Sequence, residues 1–345
     1  MAKLYRGLLQ TDLEEVISGV GEDWGKFRDS TLLVLGGTGF VGSWLVSSLL
    51  YANSAFQLNL KIVLVTRDVN STNIKLSLSK NDPLILVRAD LQNPFEYVFP
   101  SADFYIHAAT PSVLSTGLSN PGASGQSTMN GAVLISNLMK RNQGESTFLH
   151  TSSGAVYGPQ SLNLEMRLES QALPEQSLIT PYAKSKLEAE EYFLRTSESR
   201  LIRGSNPRLF SFFGPRIALE EHFAIGNFIN DGLKDSAVKV KGNPGTTRSY
   251  LYPTDLTIWL VRLLVNPCIE PLNIGSDVSY SMLELGTLIS AMTSQKGVEL
   301  LNPSIQSSRY VPSIEKIKAH LNVSPNVSLS NGIERWITWL QMTQK

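Results

Sequence analysis

The chain has 345 residues, enough for one large domain or two modest ones. Thirty basic and thirty acidic residues cancel, which argues against a partner chosen by bulk charge, whether nucleic acid or an anionic membrane surface. Apolar residues make up 42%, so a sizeable core is available, and the single cysteine, Cys268, rules out an internal disulfide framework.

Residues 1–29 read as a helical extension anchored by Trp24 and Phe27. Its opening, MAKLYRGLLQTDLEEV, carries carboxylates where a signal peptide would continue its apolar core. No apolar run approaches the ~20 residues of a membrane-spanning helix. The expectation is a soluble cytoplasmic protein with no membrane partner. Short β-type runs then alternate with helical stretches. TLLVLGG is a strand and FVGSWLVSSLLYA a helix; LKIVLVTR, PLILVRADL and ADFYIHAAT are further strands. GAVLISNLMKRN is a helix, STFLHTSS a fifth strand, YAKSKLEAEEYFLRT a long helix, and LIRGSNPRLFSFFG carries the next strand. Buried parallel strands read as continuous apolar runs, as these do. The alternation predicts an α/β, Rossmann-type doubly wound parallel sheet over 30–210, with 247–275 returning to it. After Phe210 the regularity breaks, and 211–246 with 276–345 reads as a smaller, less regular region that caps the sheet. The four histidines, His107, His150, His222 and His320, have no metal-ligand spacing, so no metal site is expected.

The stretch LGGTGFVG places Gly36, Gly39 and Gly42 at Gly-x-x-Gly-x-x-Gly spacing between the first strand and its helix. A strand that turns sharply into a helix exposes the N–H groups of the first helical turn, an anion site reinforced by the helix dipole. Glycine permits the turn and lets a pyrophosphate approach the backbone. Strand, turn and helix in this order are the context of a dinucleotide site built on Gly36, Gly39, Phe40, Val41 and Gly42. The second strand ends VLVTRD, with Thr66 where an acidic residue would meet the ribose of NAD. Arg67 beside it suits a 2′-phosphate, or is a solvated surface arginine; Asp68 could turn inward. After the third strand, Asp90 and Leu91 border the adenine position, where Asp90 either accepts from the adenine amino group or caps its own turn.

Further along, PYAKSKLEAEEY puts Tyr182 and Lys186 four residues apart on one helical face. A nearby ammonium favours tyrosinate, which predicts a lowered Tyr182 pKa and a general acid/base for a substrate hydroxyl. Lys186 also suits the ribose of a nicotinamide nucleotide. In HTSSGAVYGP, Ser152 and Ser153 end the fifth strand, at the sheet edge where ligands collect, unless they serve as helix caps.

The ordered set GGTGFVG, HAAT, TSSGAVYG, PYAKSK, NPRLFSFFGP and RSYLYPTDL resembles the extended short-chain dehydrogenase/reductases, and within them the NAD-dependent epimerase/dehydratase family acting on nucleotide sugars. The resemblance runs from about Leu32 to the C-terminus. It implies a Rossmann domain with a small C-terminal substrate domain, NAD or NADP as cofactor, and a nucleotide-diphosphate sugar as substrate. It makes Tyr182 the catalytic tyrosine, Lys186 the catalytic lysine and Ser153 the active hydroxyl, with Ser152 adjacent on the substrate. Asn130 matches an asparagine that buttresses the active site, and His107, Ala108 and Ala109 match a loop along the cofactor. Arg248 and Arg309 resemble the family's diphosphate arginines, and Arg216 is a further nucleotide contact. The family commonly forms homodimers through helices at about 130–141 and 181–197, where Leu134, Leu138, Leu187 and Leu194 fit either an interface or an internal core.

Two positions after the active hydroxyl separate the reactions. Where family 4,6-dehydratases resemble T-D-E-V-Y-G, this chain has Gly154 and Ala155; decarboxylases typically carry a glutamate at the position of Ala155, and 3,5-epimerases need a cysteine there. What remains is chemistry that needs only a hydroxyl, a tyrosine and hydride transfer. The expectation is a nucleotide-sugar 4-epimerase, with a 4-ketoreductase as the alternative. A non-catalytic dinucleotide-binding regulator is the third reading.

Overall fold

The computed structural model describes residues 3–70, 78, 82–110, 121–142, 144–197, 202–219, 223–302 and 306–343; His222 lies outside them. The chain divides into two compact units, Met1–Val156 with Leu173–Arg208 and Thr257–Leu272, and Tyr157–Ala172 with Leu209–Leu256 and Asn273–Lys345.

The first unit is built on six strands: β1 (Thr31–Leu35), β2 (Lys61–Thr66), β3 (Leu84–Arg88), β4 (Phe104–His107), β5 (Ser146–His150) and β6 (Ile202–Ser205). Their order is β3-β2-β1-β4-β5-β6, every pairing parallel. Apolar β-formers dominate the central strands, and Leu32 to Leu35 and Ile62 to Leu64 are almost wholly buried, as a sheet covered on both faces requires. The strand order reverses direction between β1 and β4. In open α/β sheets that switch point, at the carboxyl ends of the strands, is where ligands bind.

Three helices matter for the site: α1 (Phe40–Phe56), α2 (Pro121–Arg141) and α3 (Pro181–Thr196). Helix α3 starts at Pro181, with the Thr180 hydroxyl accepting from the Ala183 N–H as its cap. Its apolar face joins Ala189 and Phe193 to Leu33, Tyr105, Ile135 and Phe148 in one core cluster, and the Phe148 and Phe193 rings stack at 4.2 Å. Leu134 and Leu138 belong to this internal cluster and Leu187 is buried, whereas Leu194 is exposed. Three of the four leucines that could have marked a dimer face therefore serve the core instead.

The N-terminal extension differs from the all-helical expectation. Leu4–Tyr5 and Leu8–Leu9 form an antiparallel hairpin before the helix Gln10–Val20 and a 3-10 segment Gly21–Phe27. The Arg6–Gly7 turn has φ of 51° and 69°, the paired positive values of a two-residue hairpin turn. Trp24 and Phe27 are the anchors, both buried, with the Phe27 ring 4.8 Å from that of Phe104 on β4. No helix among the described residues is long and apolar enough to cross a membrane.

The second unit carries two small sheets. Val238–Lys241 pairs in parallel with Val298–Leu301, while Thr247–Ser249 lies between Ser279–Ser281 and Arg309–Tyr310. The helix Leu329–Thr343 buries Ile333, Trp336 and Leu340 in this unit.

Candidate active site

The glycine turn follows β1 directly. Gly36 has φ of 83°, and a Cβ there would stand 2.5 Å from the backbone of Ala108 and Ala109. A Cβ on Gly42 would stand 2.2 Å from the Gly36 carbonyl oxygen. Both positions are closed to any side chain by the protein's own backbone. Gly39 is different: it is the N-cap of α1, with no side-chain cap, and its Cβ would meet only the Gly36 oxygen at an ordinary 3.5 Å. The first N–H groups of any α-helix have no carbonyl one turn earlier to bond, which is what makes a helix start an anion site. Gly39 is exposed in this turn.

The neighbouring loops divide into those that face this turn and those that do not. Ala108 and Ala109 border it through their backbone. The His107 ring does not; it is fully buried, its Nε2 is 2.8 Å from the Thr128 carbonyl, and it packs 4.9 Å from the His150 ring. Burial drives the His107 ring down to about 3, so the ring is a neutral core group, while the loop it opens meets the glycine turn through the Ala108 and Ala109 backbone. Arg67 is exposed just past the tip of β2. Asp68 is spent locally, its carboxylate accepting from the Asn70 N–H at 2.9 Å. Asp90 likewise accepts from the Gln92 N–H at 3.0 Å, capping its own turn. Asn130, on α2, donates to the Leu91 and Gln92 carbonyls, both at 2.9 Å, and accepts from Gln126. Its side chain thus braces the loop after β3.

Ser153, Tyr182 and Lys186 come together in the first unit. Tyr182 hydrogen-bonds the Ser153 side chain, whose Oγ also accepts from the Ala155 N–H at 3.2 Å. Lys186 lies one turn along α3, 5.9 Å from the centre of the Tyr182 ring, and donates to the Thr151 carbonyl. The electrostatics depart from expectation. Burial raises the Tyr182 phenol above its ordinary value, and the Ser153 hydrogen bond only offsets this. Burial also brings Lys186 down to about 7, against the pull of Glu190. A lysine that itself loses charge near neutrality does not impose the lowered tyrosine pKa that spacing alone suggested.

Ser152 turns away from this group. Its hydroxyl donates to the buried Glu190 carboxylate, which corrects its assignment to the substrate. Glu190 also receives Arg208, through Nη2 at 2.7 Å and Nε at 3.1 and 3.2 Å. Sequence reasoning passed over this pair, although the signal was present: Tyr182, Lys186 and Glu190 follow one another at steps of four on one helical face.

In the second unit, Arg248 and Arg309 line one cavity of about 880 Å³ together with Gln160, Ser211, Ser308 and Tyr310. Arg248 donates to the Thr247 and Ser308 carbonyls at 2.8 and 3.2 Å, and Arg309 to the Glu165 carbonyl at 2.7 Å. Arg216 is not among the lining residues; it has φ of 78°, and burial lowers it to about 10.

Comparison with known proteins agrees with this architecture. Residues 32–275 match the model of the NAD dependent epimerase/dehydratase family. The chain is 28% identical over 324 residues to UDP-glucuronic acid decarboxylase 5 of Arabidopsis thaliana, covering 89% of each chain. Among solved structures it is similar to the UDP-N-acetylglucosamine 4-epimerase of Methanobrevibacter ruminantium M1, in complex with UDP-N-acetylmuramic acid, at 20% identity and a TM-score of 0.78, covering 92% of this chain and 100% of that one. It is also similar to the UDP-glucuronic acid 4-epimerase of Bacillus cereus, in complex with UDP-glucuronic acid and NAD, at 22% identity and a TM-score of 0.70, covering 91% and 99%.

Proposed function

Because the chain belongs to the NAD dependent epimerase/dehydratase family, we propose that it is a nucleotide-diphosphate-sugar 4-epimerase, an enzyme that oxidises C4 transiently and reduces it again on the other face. The observation that carries this reading is the side-chain hydrogen bond between Ser153 and Tyr182, with Gly154 and Ala155 immediately after Ser153. A proton-transferring phenol and a hydroxyl are at hand, and the two next positions supply neither a carboxylate nor a thiol.

The glycine turn fits a dinucleotide, since Gly36 and Gly42 admit no Cβ and the face at Gly39 is open. Gly36, Gly39, Phe40, Val41 and Gly42 would hold the pyrophosphate, Asp90 and Leu91 the adenine side, and Lys186 the nicotinamide ribose. A nicotinamide bound there would supply the reversible hydride exchange at the sugar carbon. Only in its ionised form, which burial opposes, can Tyr182 accept the C4 hydroxyl proton as the carbonyl forms, while Ser153 holds the same oxygen. The proton then goes back from the Tyr182 oxygen to the C4 oxygen as the C–H bond re-forms. The cavity with Arg248 and Arg309 suits the nucleotide diphosphate, which a planar guanidinium recognises through paired N–H donors.

One observation favours the 4-ketoreductase as a second reading. The raised Tyr182 pKa keeps the phenol protonated at rest, the form needed to donate to a ketone. Proton NMR of the enzyme with UDP-glucuronic acid or UDP-N-acetylglucosamine and NAD separates the possibilities. The C4 epimer is expected, with no carbon dioxide and no 4-keto-6-deoxy sugar. Release of either would show that an acid/base outside Gly154 and Ala155 serves the site, and would overturn the reading. Turnover of a 4-keto sugar only at the expense of one reduced cofactor per product would establish the reductase.

Cofactor choice falls to the tip of β2. No carboxylate stands at Thr66 to repel a 2′-phosphate, and exposed Arg67 is free of burial constraints on reaching one. NADP(H) is therefore expected to bind at least as tightly as NAD(H) in calorimetric titration, and Arg67→Ala to weaken NADP(H) selectively by about tenfold, the effect of one charge-assisted contact. A preference for NAD that Arg67→Ala leaves unchanged would make Arg67 a surface residue.

A further inference from the structure

Behind the Ser153–Tyr182–Lys186 group lies a buried ionic cluster that the proposed chemistry does not use. Glu190 sits one helical turn past Lys186 on α3 and is 3% exposed; Arg208, at 4%, follows β6 and reaches both carboxylate oxygens, Oε1 through Nε and Oε2 through Nη2. The third partner is the hydroxyl of Ser152, the residue joined to Ser153. Burying an ion pair is costly, and well-packed apolar side chains often fill such a space as stably. An apolar filling would neither accept the Ser152 hydroxyl nor present negative charge to Lys186.

We propose that Glu190 is a positioning residue for the reaction centre: fixed by Arg208, its carboxylate pins Ser152, and with it Ser153, to the same helix that carries Tyr182 and Lys186, and stands as the counter-charge beneath the Lys186 ammonium. This rests on the reading of Ser153, Tyr182 and Lys186 as the reacting group. Glu190 opposes the desolvation of Lys186, whose pKa is about 7 with the carboxylate in place. The other groups around Lys186 do not share this task. Tyr182 on α3 is held protonated by burial. His107 at the end of β4 and His150 at the end of β5 are kept neutral, first by burial and then by the charge of Lys186 itself. Arg208 is a cation, and α2 contains no Asp, Glu or His, its Lys140 and Arg141 falling in the last turn. The carboxylate of Glu190 is thus the negative partner on this side of the site.

The two arms are tested on the full-length protein. For the charge arm, Glu190→Gln is combined with Arg208→Met, which leaves no unpaired buried ion and keeps the site filled. Lysine-selective ¹³C NMR, with the Lys186 resonance identified by its loss in Lys186→Arg, should show the titration midpoint fall by about one pH unit or more, the scale expected when an opposing charge is removed from a buried group. For the pinning arm, Ser152→Ala should leave that midpoint in place and lower kcat by about tenfold with KM unchanged, the signature of an interaction that acts on the transition state alone. An unmoved midpoint in the folded double variant, or a Ser152→Ala variant that changes KM and spares kcat, overturns the proposal. The NMR midpoint does not depend on turnover. Should Tyr182→Phe retain full activity, the reading of the centre fails, while the Lys186 titration still reports on Glu190.

Discussion

Tyr182→Phe is expected to lower turnover by at least the ~10²-fold that a lost general acid/base costs, with nucleotide-sugar and cofactor affinities retained. The substitution deletes one oxygen and preserves the ring, so the packing of α3 stays intact. Its hydrogen bond partner, Ser153, keeps a second bond from the Ala155 N–H, so the serine is not released when the phenol is lost. The loss should therefore appear in kcat and in kcat/KM alike, as for an interaction made only in the transition state. Single-turnover kinetics with a UDP-sugar, alongside calorimetric titration of substrate and cofactor, separates the two effects. Near-normal turnover would remove Tyr182 from the chemistry and lend weight to the non-catalytic, dinucleotide-binding reading. A parallel loss of binding would instead place Tyr182 in the architecture of the pocket.

The parts of this fold that were legible in sequence are those written in local pattern. TLLVL, KIVLVT and STFLH are strands because continuous apolar runs between polar breaks suit a sheet covered on both faces. The glycine turn was readable because its spacing coincides with a strand-to-helix junction. What escaped was direction. Sequence placed Ser152 and Ser153 side by side at a strand end, but only the three-dimensional fold turns one hydroxyl toward Tyr182 and the other toward Glu190. His107 belongs to a loop whose backbone borders the glycine turn, yet its ring packs against His150 in the interior. Asn130 reaches across to a loop 38 and 39 residues earlier in the chain, a pairing that no local pattern records. The sign of the Tyr182 shift was missed for a related reason. Spacing reports that an ammonium is near, whereas burial, which acts on phenol and ammonium together, is a property of the assembled fold. Leu134 and Leu138 show the converse ambiguity, since the same helical period marks an interface or a core.

The glycine turn gives the sharpest separation between folding and binding, because its three glycines answer to different neighbours. Gly36→Ala introduces a Cβ 2.5 Å from the carbonyl carbon of Ala108 and the nitrogen of Ala109, both backbone atoms that cannot swing aside. It also forces a side chain into φ of 83°, a left-handed conformation that costs an L-residue about 1–2 kcal/mol before any clash. The expected result is a lower melting temperature together with lost dinucleotide binding. Gly39→Ala carries neither burden. Its φ of −75° suits any residue, and its Cβ would meet only the Gly36 oxygen at 3.5 Å. The folded protein should melt at the wild-type temperature. If the open face over Gly39 receives the pyrophosphate, the added methyl stands where the phosphate oxygens approach the first N–H groups of α1, and NAD should bind at least tenfold more weakly, about 1.4 kcal/mol. Thermal melts paired with calorimetric titration of NAD read the two quantities independently. A Gly39→Ala protein that binds NAD as tightly as wild type would show that the cofactor does not lie on this turn, and the dinucleotide would have to be sought at another edge of the sheet.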